Sequence, residues 1–257
     1  VCSMPSVLEK IRILGADSKY DICASTACSR SQIAPNLFGK TSNSLGVSAS
    51  AGICHSYTPD GRCISLFKVL YTNRCIYSCK YCSSQVCKKR MSFTPEELSQ
   101  VFIKLYSMNV LEGLFLSSGV CGSADASTEE MLEVIKLLRF KYHFNGYIHF
   151  KCLPGVSYSL LKAAVPLVDR ISINLEAPTK EYLAEIADQK DFNTDILTRQ
   201  RWLKEIRYRV NQSLQKQSEE HQASKVTVNK TVNEWKDEWG VVRRSTGYAK
   251  IRWDQTP

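Results

Sequence analysis

No apolar run in the 257 residues approaches the roughly 18 to 20 that a membrane-spanning helix needs, so no membrane partner is expected. Nor does the stretch VCSMPSVLEKIRILGADSKYD show a basic start, a long apolar core and a small-residue cleavage site. No signal peptide is read there, and the expected compartment is the cytosol. Tryptophan is missing before Trp202, cysteine after Cys152 and phenylalanine after Phe192, which sets the last quarter of the chain apart from the rest. One further shortage is local: YTNRCIYSCKYCSSQ, residues 71–85, crowds Cys75, Cys79 and Cys82 together without the fourth thiol that a closed tetrahedral metal site takes.

Eleven cysteines would build disulfides in an exported chain and point to metal or redox chemistry in one kept in a reducing compartment. The cytosolic expectation favours the second. The net charge of +9 is unevenly placed. From Leu197 to Pro257 thirteen Lys or Arg face seven Asp or Glu, which accounts for six of the nine charges. A basic last quarter is compatible with a polyanionic partner, but RQRWLKEIRYRV mixes both signs as a solvated helix face does.

Three segments are expected. Residues 1–64 read as a Ser- and Cys-rich N-terminal extension, with a short helix over PSVLEKIRILGADSKY and a loop at KTSNSLGVSASAG. Residues 65–217 alternate strand and helix. SLFKVLYTN (65–73), EGLFLSSGV (112–120), GYIHFKC (146–152) and DRISINLEAP (169–178) read as strands. The intervening helices are TPEELSQVFIKLYSMN (94–109), capped by Thr94 with Pro95 and Glu97 behind it, STEEMLEVIKLLRFKY (127–142), opened by Ser127 and Glu130, and SYSLLKAAVPLV (157–168). TKEYLAEIA (179–187) and residues 194–217 supply more. Such alternation gives an α/β fold with a parallel sheet, in the form of a partial (β/α) TIM-type barrel or an open sheet, with ligand sites at the C-terminal strand ends. Residues 218–257 read as a poorly specified basic tail, disordered or foreign to the rest.

At the overall cysteine frequency, a C-x3-C-x2-C spacing is expected roughly 0.02 times in a chain of this length, so the cluster asks for an explanation. Buried free thiols are one, and a zinc site completed by Cys87 or a distant histidine is another. Iron–sulfur clusters also take four protein ligands as a rule, so a cluster held by three thiolates leaves one iron open, and an open position marks a catalytic metal. The loop follows the first clear strand of the parallel series, at the binding end of such a fold.

CIYSCKYC, with Tyr81 before the last cysteine, resembles the C-x3-C-x-aromatic-C signature of the radical SAM superfamily. The resemblance implies a [4Fe–4S] cluster on Cys75, Cys79 and Cys82, with S-adenosyl-L-methionine on the open iron. It also implies a low-potential electron donor of the flavodoxin or ferredoxin type, and reductive cleavage of the sulfonium to a 5′-deoxyadenosyl radical. Tyr81 would pack near the adenine. Ser117, Ser118 and Gly119, in LSSG, occupy the place of the Gly-rich segment that meets the methionine amino group, although the common Gly-Gly-Glu form is absent. Ser172, Asn174 and Glu176 share a face by strand alternation and would meet ribose hydroxyls or the methionine carboxylate.

GICHSYTPDGRCISLFKVLYTN, NLEAPT and DFNTDILTRQRWL further resemble the radical SAM proteins associated with DNA modification or repair, which implies a nucleic-acid partner. Members of that group are longer than this chain. His149 and Lys151 are candidates for the cavity wall. Cys23, Cys28, Cys54, His55 and Cys63 are candidates for a second metal site or a thiol-lined shield, and Arg62 and Arg74 for phosphate or carboxylate contacts. The rival reading is a non-catalytic zinc or nucleic-acid-binding module stapled by the cysteines.

Overall fold

The architecture comes from a computed structural model, in which residues 5–18, 53–57, 63–86, 89–225, 234–236 and 242–244 are described. The chain divides into two compact units, Val1–Arg209 and Val210–Pro257.

The first unit is built on a five-stranded sheet in the order β1 (Ile53–Tyr57), β2 (Cys63–Leu70), β3 (Gly113–Ser117), β4 (Tyr147–Lys151) and β5 (Arg170–Ser172). β1 runs antiparallel to β2, pairing Ile53 with Phe67 and Tyr57 with Cys63. The other neighbours are parallel, with Leu66 beside Gly113, Gly113 beside Tyr147 and His149 beside Arg170. Among β2 to β5 the strand order never reverses. A doubly wound sheet needs such a reversal, and a barrel does not, so the arrangement is that of a partial (β/α) barrel.

Alternation along the strands separates two faces. Phe67, Val69, Leu114, Leu116, Ile148 and Phe150 form one core with α1 (Val7–Asp17), α3 (Pro95–Ser107) and α4 (Ala124–Lys136), through Ile11, Leu14, Leu98, Phe102, Met131 and Ile135, while α2 (Ser83–Val86) is a single turn. Each such side chain contributes about 1.5–3 kcal/mol by leaving water. The opposite face carries a smaller apolar group, Ile64, Leu66 and Phe115. The buried Lys68, His149 and Lys151 surround the Phe115 ring there, the two ammonium groups 5.3 and 5.9 Å from its centroid and the imidazole 4.4 Å away.

The α3 cap forms as its sequence predicts. Thr94 Oγ1 accepts from Glu97 N–H at 3.2 Å while Thr94 N–H donates to the Glu97 carboxylate at 2.9 Å, an arrangement worth about 1 kcal/mol. Lys10 ties α1 to the same carboxylate at 2.6 Å. Burial works to raise the Glu97 pKa, but the Lys10 and Thr94 hydrogen bonds outweigh it and hold the group below its ordinary value.

α4 departs from expectation. Its cap is Ser123, whose Oγ accepts from Ala126 N–H at 3.0 Å. Ser127 is buried one turn later, accepting from Cys121 N–H at 2.8 Å, and Glu130 instead receives the Tyr71 hydroxyl at 2.7 Å. The helix ends in a π-turn, Leu137–Lys141, where the Arg139 guanidinium gathers the carbonyls of Phe144, Gly146 and Leu167 and the Asp169 carboxylate. Those partners fix the chain's turn into β4.

Beyond β4 lie α5 (Tyr158–Ala164), β5, α6 (Lys180–Ile186) and α7 (Thr198–Lys225), the last preceded by a π-turn, Phe192–Leu197, capped by Asp191. β5 is shorter than the expected strand: pairing with β4 stops at Ser172, and residues 173–178 run on as a loop. In the second unit β6 (Glu234–Lys236) and β7 (Val242–Arg244) form an antiparallel pair that no period in the sequence announces. Among the described residues, no helix is long and apolar enough to cross a membrane.

Candidate active site

The three-cysteine loop leaves the C-terminal end of β2 and returns alongside itself, so both of its ends are fixed. Phe93 N–H donates to Tyr71 C=O at 3.0 Å and Asn73 N–H to Met91 C=O at 3.2 Å. The Asn73 side chain, fully buried, donates to Asp17 at 2.9 Å and Lys89 C=O at 3.0 Å, and accepts from Met91 N–H at 2.7 Å. An amide with one acceptor and two donors satisfied in this way pins the loop's entry and exit.

Two further seams hold the loop between those ends. On the β3 side, Tyr71 N–H donates to Ser117 C=O (2.8 Å), Gly119 N–H to Thr72 C=O (2.7 Å) and Ile76 N–H to Val120 C=O (2.8 Å), while Val120 N–H points at Cys75 Sγ from 3.4 Å. Gly119 is needed here by proximity: a Cβ would stand 3.2 Å from Thr72 C=O and closer still to the Arg74 carbonyl. On the α6 side, Lys80 N–H donates to Ile186 C=O (2.9 Å) and Ser78 N–H to Gln189 Oε1 (2.9 Å). Cys79, 5% exposed, packs there with Ala177, Leu183, Ala187 and Ile196.

The outcome is a cleft that holds about 870 Å³ of empty space, the open solvent at its mouth included. Cys75, Cys79, Cys82 and Tyr81 line it together with Ser117, Ser118, Gly119, Asn174 and Glu176. Ser172 is not among the lining groups. Its hydroxyl meets His149 Nε2 at 2.8 Å, so these two face each other across β4 and β5, while Lys151 does reach the cleft wall. Ser118 Oγ is turned to the Gly119 carbonyl at 2.7 Å. Cys54 and Cys63 lie on β1 and at the start of β2, away from the strand ends that carry the loop. Cys23, Cys28 and Arg62 lie outside the described residues.

Lys190, which no local pattern in the sequence marks, sits in the middle of the predicted residues. Its side chain is 7% exposed, 3.2 Å from Glu176 Oε1 and 3.1 Å from the Tyr81 hydroxyl, and it lies over the rings of Tyr77 and Tyr81. Burial works to lower the Lys190 pKa, but Glu176 and Cys79 outweigh it and raise the value. Burial, then Glu176, pushes the Tyr81 phenol upward. Burial likewise raises the Cys79 thiol against the opposing pull of Lys190. Glu176 itself adopts φ 65°, inside a three-residue turn closed by Ala177 N–H to Leu175 C=O at 2.8 Å. That rare turn costs on the order of 1–3 kcal/mol, and it aims the carboxylate at Lys190.

The donor chemistry fits an iron–sulfur cluster, which takes Cys thiolates as its ligands. Among the described residues no three His, Cys, Asp or Glu converge to hold one metal ion, which for zinc requires ligand atoms within about 4 Å of one another given bonds of about 2.3 Å. A multi-iron cluster accepts thiolates set further apart, and an N–H directed at a sulfur, as at Cys75, is a usual feature of its surroundings. A fourth thiol, Cys152, also lines the cleft. Its Sγ is turned to Leu153 C=O at 3.5 Å and burial pushes it up to about 12, the behaviour of an inert buried thiol.

A family profile for the radical SAM superfamily matches residues 69–214. No curated protein sequence matches the chain significantly. Among solved structures the chain is similar to the crystal structure of HydG, a maturase of the [FeFe]-hydrogenase, with a TM-score of 0.43 and 17% identity, covering 53% of this chain and 32% of HydG. It therefore spans about a third of that protein's length, and so distant a likeness carries no argument. The family match does, because its span covers more than half of the 257 residues and includes all three loop cysteines: the chain belongs to the radical SAM superfamily.

Proposed function

We propose that this chain reductively cleaves S-adenosylmethionine at a [4Fe–4S] cluster held by Cys75, Cys79 and Cys82. The observation that carries the proposal is the convergence, in one cleft at the C-terminal strand ends, of the three thiols with Ser117–Gly119, Asn174 and Glu176. When bound, the reduced cluster would supply one electron to the sulfonium of S-adenosylmethionine, whose C5′–S bond would break to give methionine and a 5′-deoxyadenosyl radical. The protein's part is to hold and shield. The seams to β3 and α6 fix the thiols, Val120 N–H supports the Cys75 sulfur, and Asn174 and Glu176 offer polar contacts to an adenosylmethionine beside Tyr81. Burial of Cys79 keeps water from that side of the cluster.

The reading requires a low-potential donor of the flavodoxin or ferredoxin type and a reducing compartment such as the cytosol. A nucleic-acid substrate, with a role in DNA modification or repair, is the finer form of the proposal. It is supported by the sequence resemblance of GICHSYTPDGRCISLFKVLYTN, NLEAPT and DFNTDILTRQRWL alone. Anaerobic reconstitution followed by dithionite is expected to give 5′-deoxyadenosine from S-adenosylmethionine. A fully loaded cluster that yields none would overturn the proposal.

A further inference from the structure

Lys190 occupies a position that holding a substrate does not explain. Its ammonium is inside the protein, at 7% side-chain exposure, and meets the Tyr81 hydroxyl in the cluster loop and the Glu176 carboxylate in the turn after β5. It stands 5.5 and 5.7 Å from the ring centroids of Tyr77 and Tyr81, which flank Cys79 in the sequence, and it lines the same cleft as Cys79. Its backbone is fixed as well. Lys190 N–H donates to Ala187 C=O at 3.0 Å, and the adjoining Gln189 and Ile186 hold Ser78 and Lys80. The charge therefore moves with the loop it faces.

We propose that Lys190 is a positioning residue that sets the cluster's reduction potential, by fixing a buried positive charge against the Cys79 sulfur, with Glu176 as the partner that tempers that charge. The inference rests on the function proposed above. Reduction adds one negative charge to the cluster, and a cation buried beside one of its sulfurs stabilises the reduced form more than the oxidised form, because interactions inside the protein are weakly screened. Charge and hydrogen bonds at cluster sulfurs are established levers on potential. Glu176, 3.2 Å away, offsets part of the effect. Removing either member of the pair should thus move the potential, and in opposite directions.

The test is an EPR-monitored redox titration of reconstituted protein without S-adenosylmethionine, at matched iron and sulfide content. In K190Q the ratio of reduced to oxidised cluster at a fixed potential should fall at least tenfold, a downward shift of about 59 mV for a one-electron couple. K190R should stay near the wild type, and E176Q should shift upward. An unchanged potential in K190Q, with weaker S-adenosylmethionine binding, would assign Lys190 to the cofactor's carboxylate and overturn the proposal. A fall in K190R equal to that in K190Q would overturn it too. Should K190Q fail to load iron, E176Q decides alone: a potential that does not rise refutes the assignment. Failure of the wild type to take up iron and sulfide would instead sink the underlying functional reading.

Discussion

Cys79→Ala should reduce S-adenosylmethionine cleavage by at least about a hundredfold, since loss of a metal ligand exceeds the 10- to 100-fold cost of losing an outer-shell partner. Two thiolates cannot hold a cluster that already relies on an open iron, so iron and sulfide per chain should fall with the activity. The structure adds a reason to single out Cys79 from its two neighbours. Cys75 and Cys82 are half-buried, whereas Cys79 is packed among Ala177, Leu183, Ala187 and Ile196. Its replacement removes a ligand and also loosens the seam to α6. Cys121→Ala is the control. That thiol is exposed and outside the cleft lining, and the variant should keep its cluster. Equal iron content and equal 5′-deoxyadenosine yield in the Cys79 and Cys121 variants would remove Cys79 from the ligand set.

The second large effect is expected at Gly119. The family's Gly-rich segment implies a contact with the methionine amino group, but the structure supplies a packing reason that needs no cofactor. The added Cβ of Gly119→Ala would press on the Arg74 carbonyl, with Thr72 C=O at 3.2 Å. Both are main-chain atoms of the cluster loop and cannot swing aside. Relief requires moving the loop, at the expense of the Gly119–Thr72 and Ile76–Val120 hydrogen bonds. A cost of about 1–3 kcal/mol is the usual consequence of such crowding. Thermal unfolding of the unreconstituted protein should show it, and cluster retention should fall before any adenosylmethionine is added. A variant with normal stability and iron content but weak adenosylmethionine binding would return Gly119 to the cofactor-contact role.

The residues that were legible in the sequence are those whose role follows from local spacing. Thr94, Pro95 and Glu97 announce the α3 cap, and the buried strands β2 and β3 show themselves as apolar runs. The three thiols stand out because four- and three-residue intervals are rare by chance. Where two local signals compete, the tertiary partner decides. The sequence reads Ser127 as the α4 cap, but Ser127 pairs with Cys121 N–H and the role falls to Ser123. Strand alternation grouped Ser172 with Asn174 and Glu176, yet Ser172 is held by His149, and the other two reach the cleft from a loop. Lys190 was invisible because its importance is non-local: nothing in ADQKDF marks a lysine that folds back on Tyr81, 109 positions earlier. The β1 strand was equally hidden, since its partner β2 supplies the edge that a five-residue segment needs before it can pair.

The central claim is that Cys75, Cys79 and Cys82 hold a cluster whose remaining iron is open to S-adenosylmethionine. The most direct test is the EPR spectrum of the anaerobically reconstituted, dithionite-reduced protein before and after the cofactor is added. A change in the shape of the cluster signal on adding S-adenosylmethionine, on protein carrying about four irons and four sulfides per chain, is the predicted result. A cluster signal untouched by saturating S-adenosylmethionine, or a chain that binds one zinc and no sulfide, would contradict it.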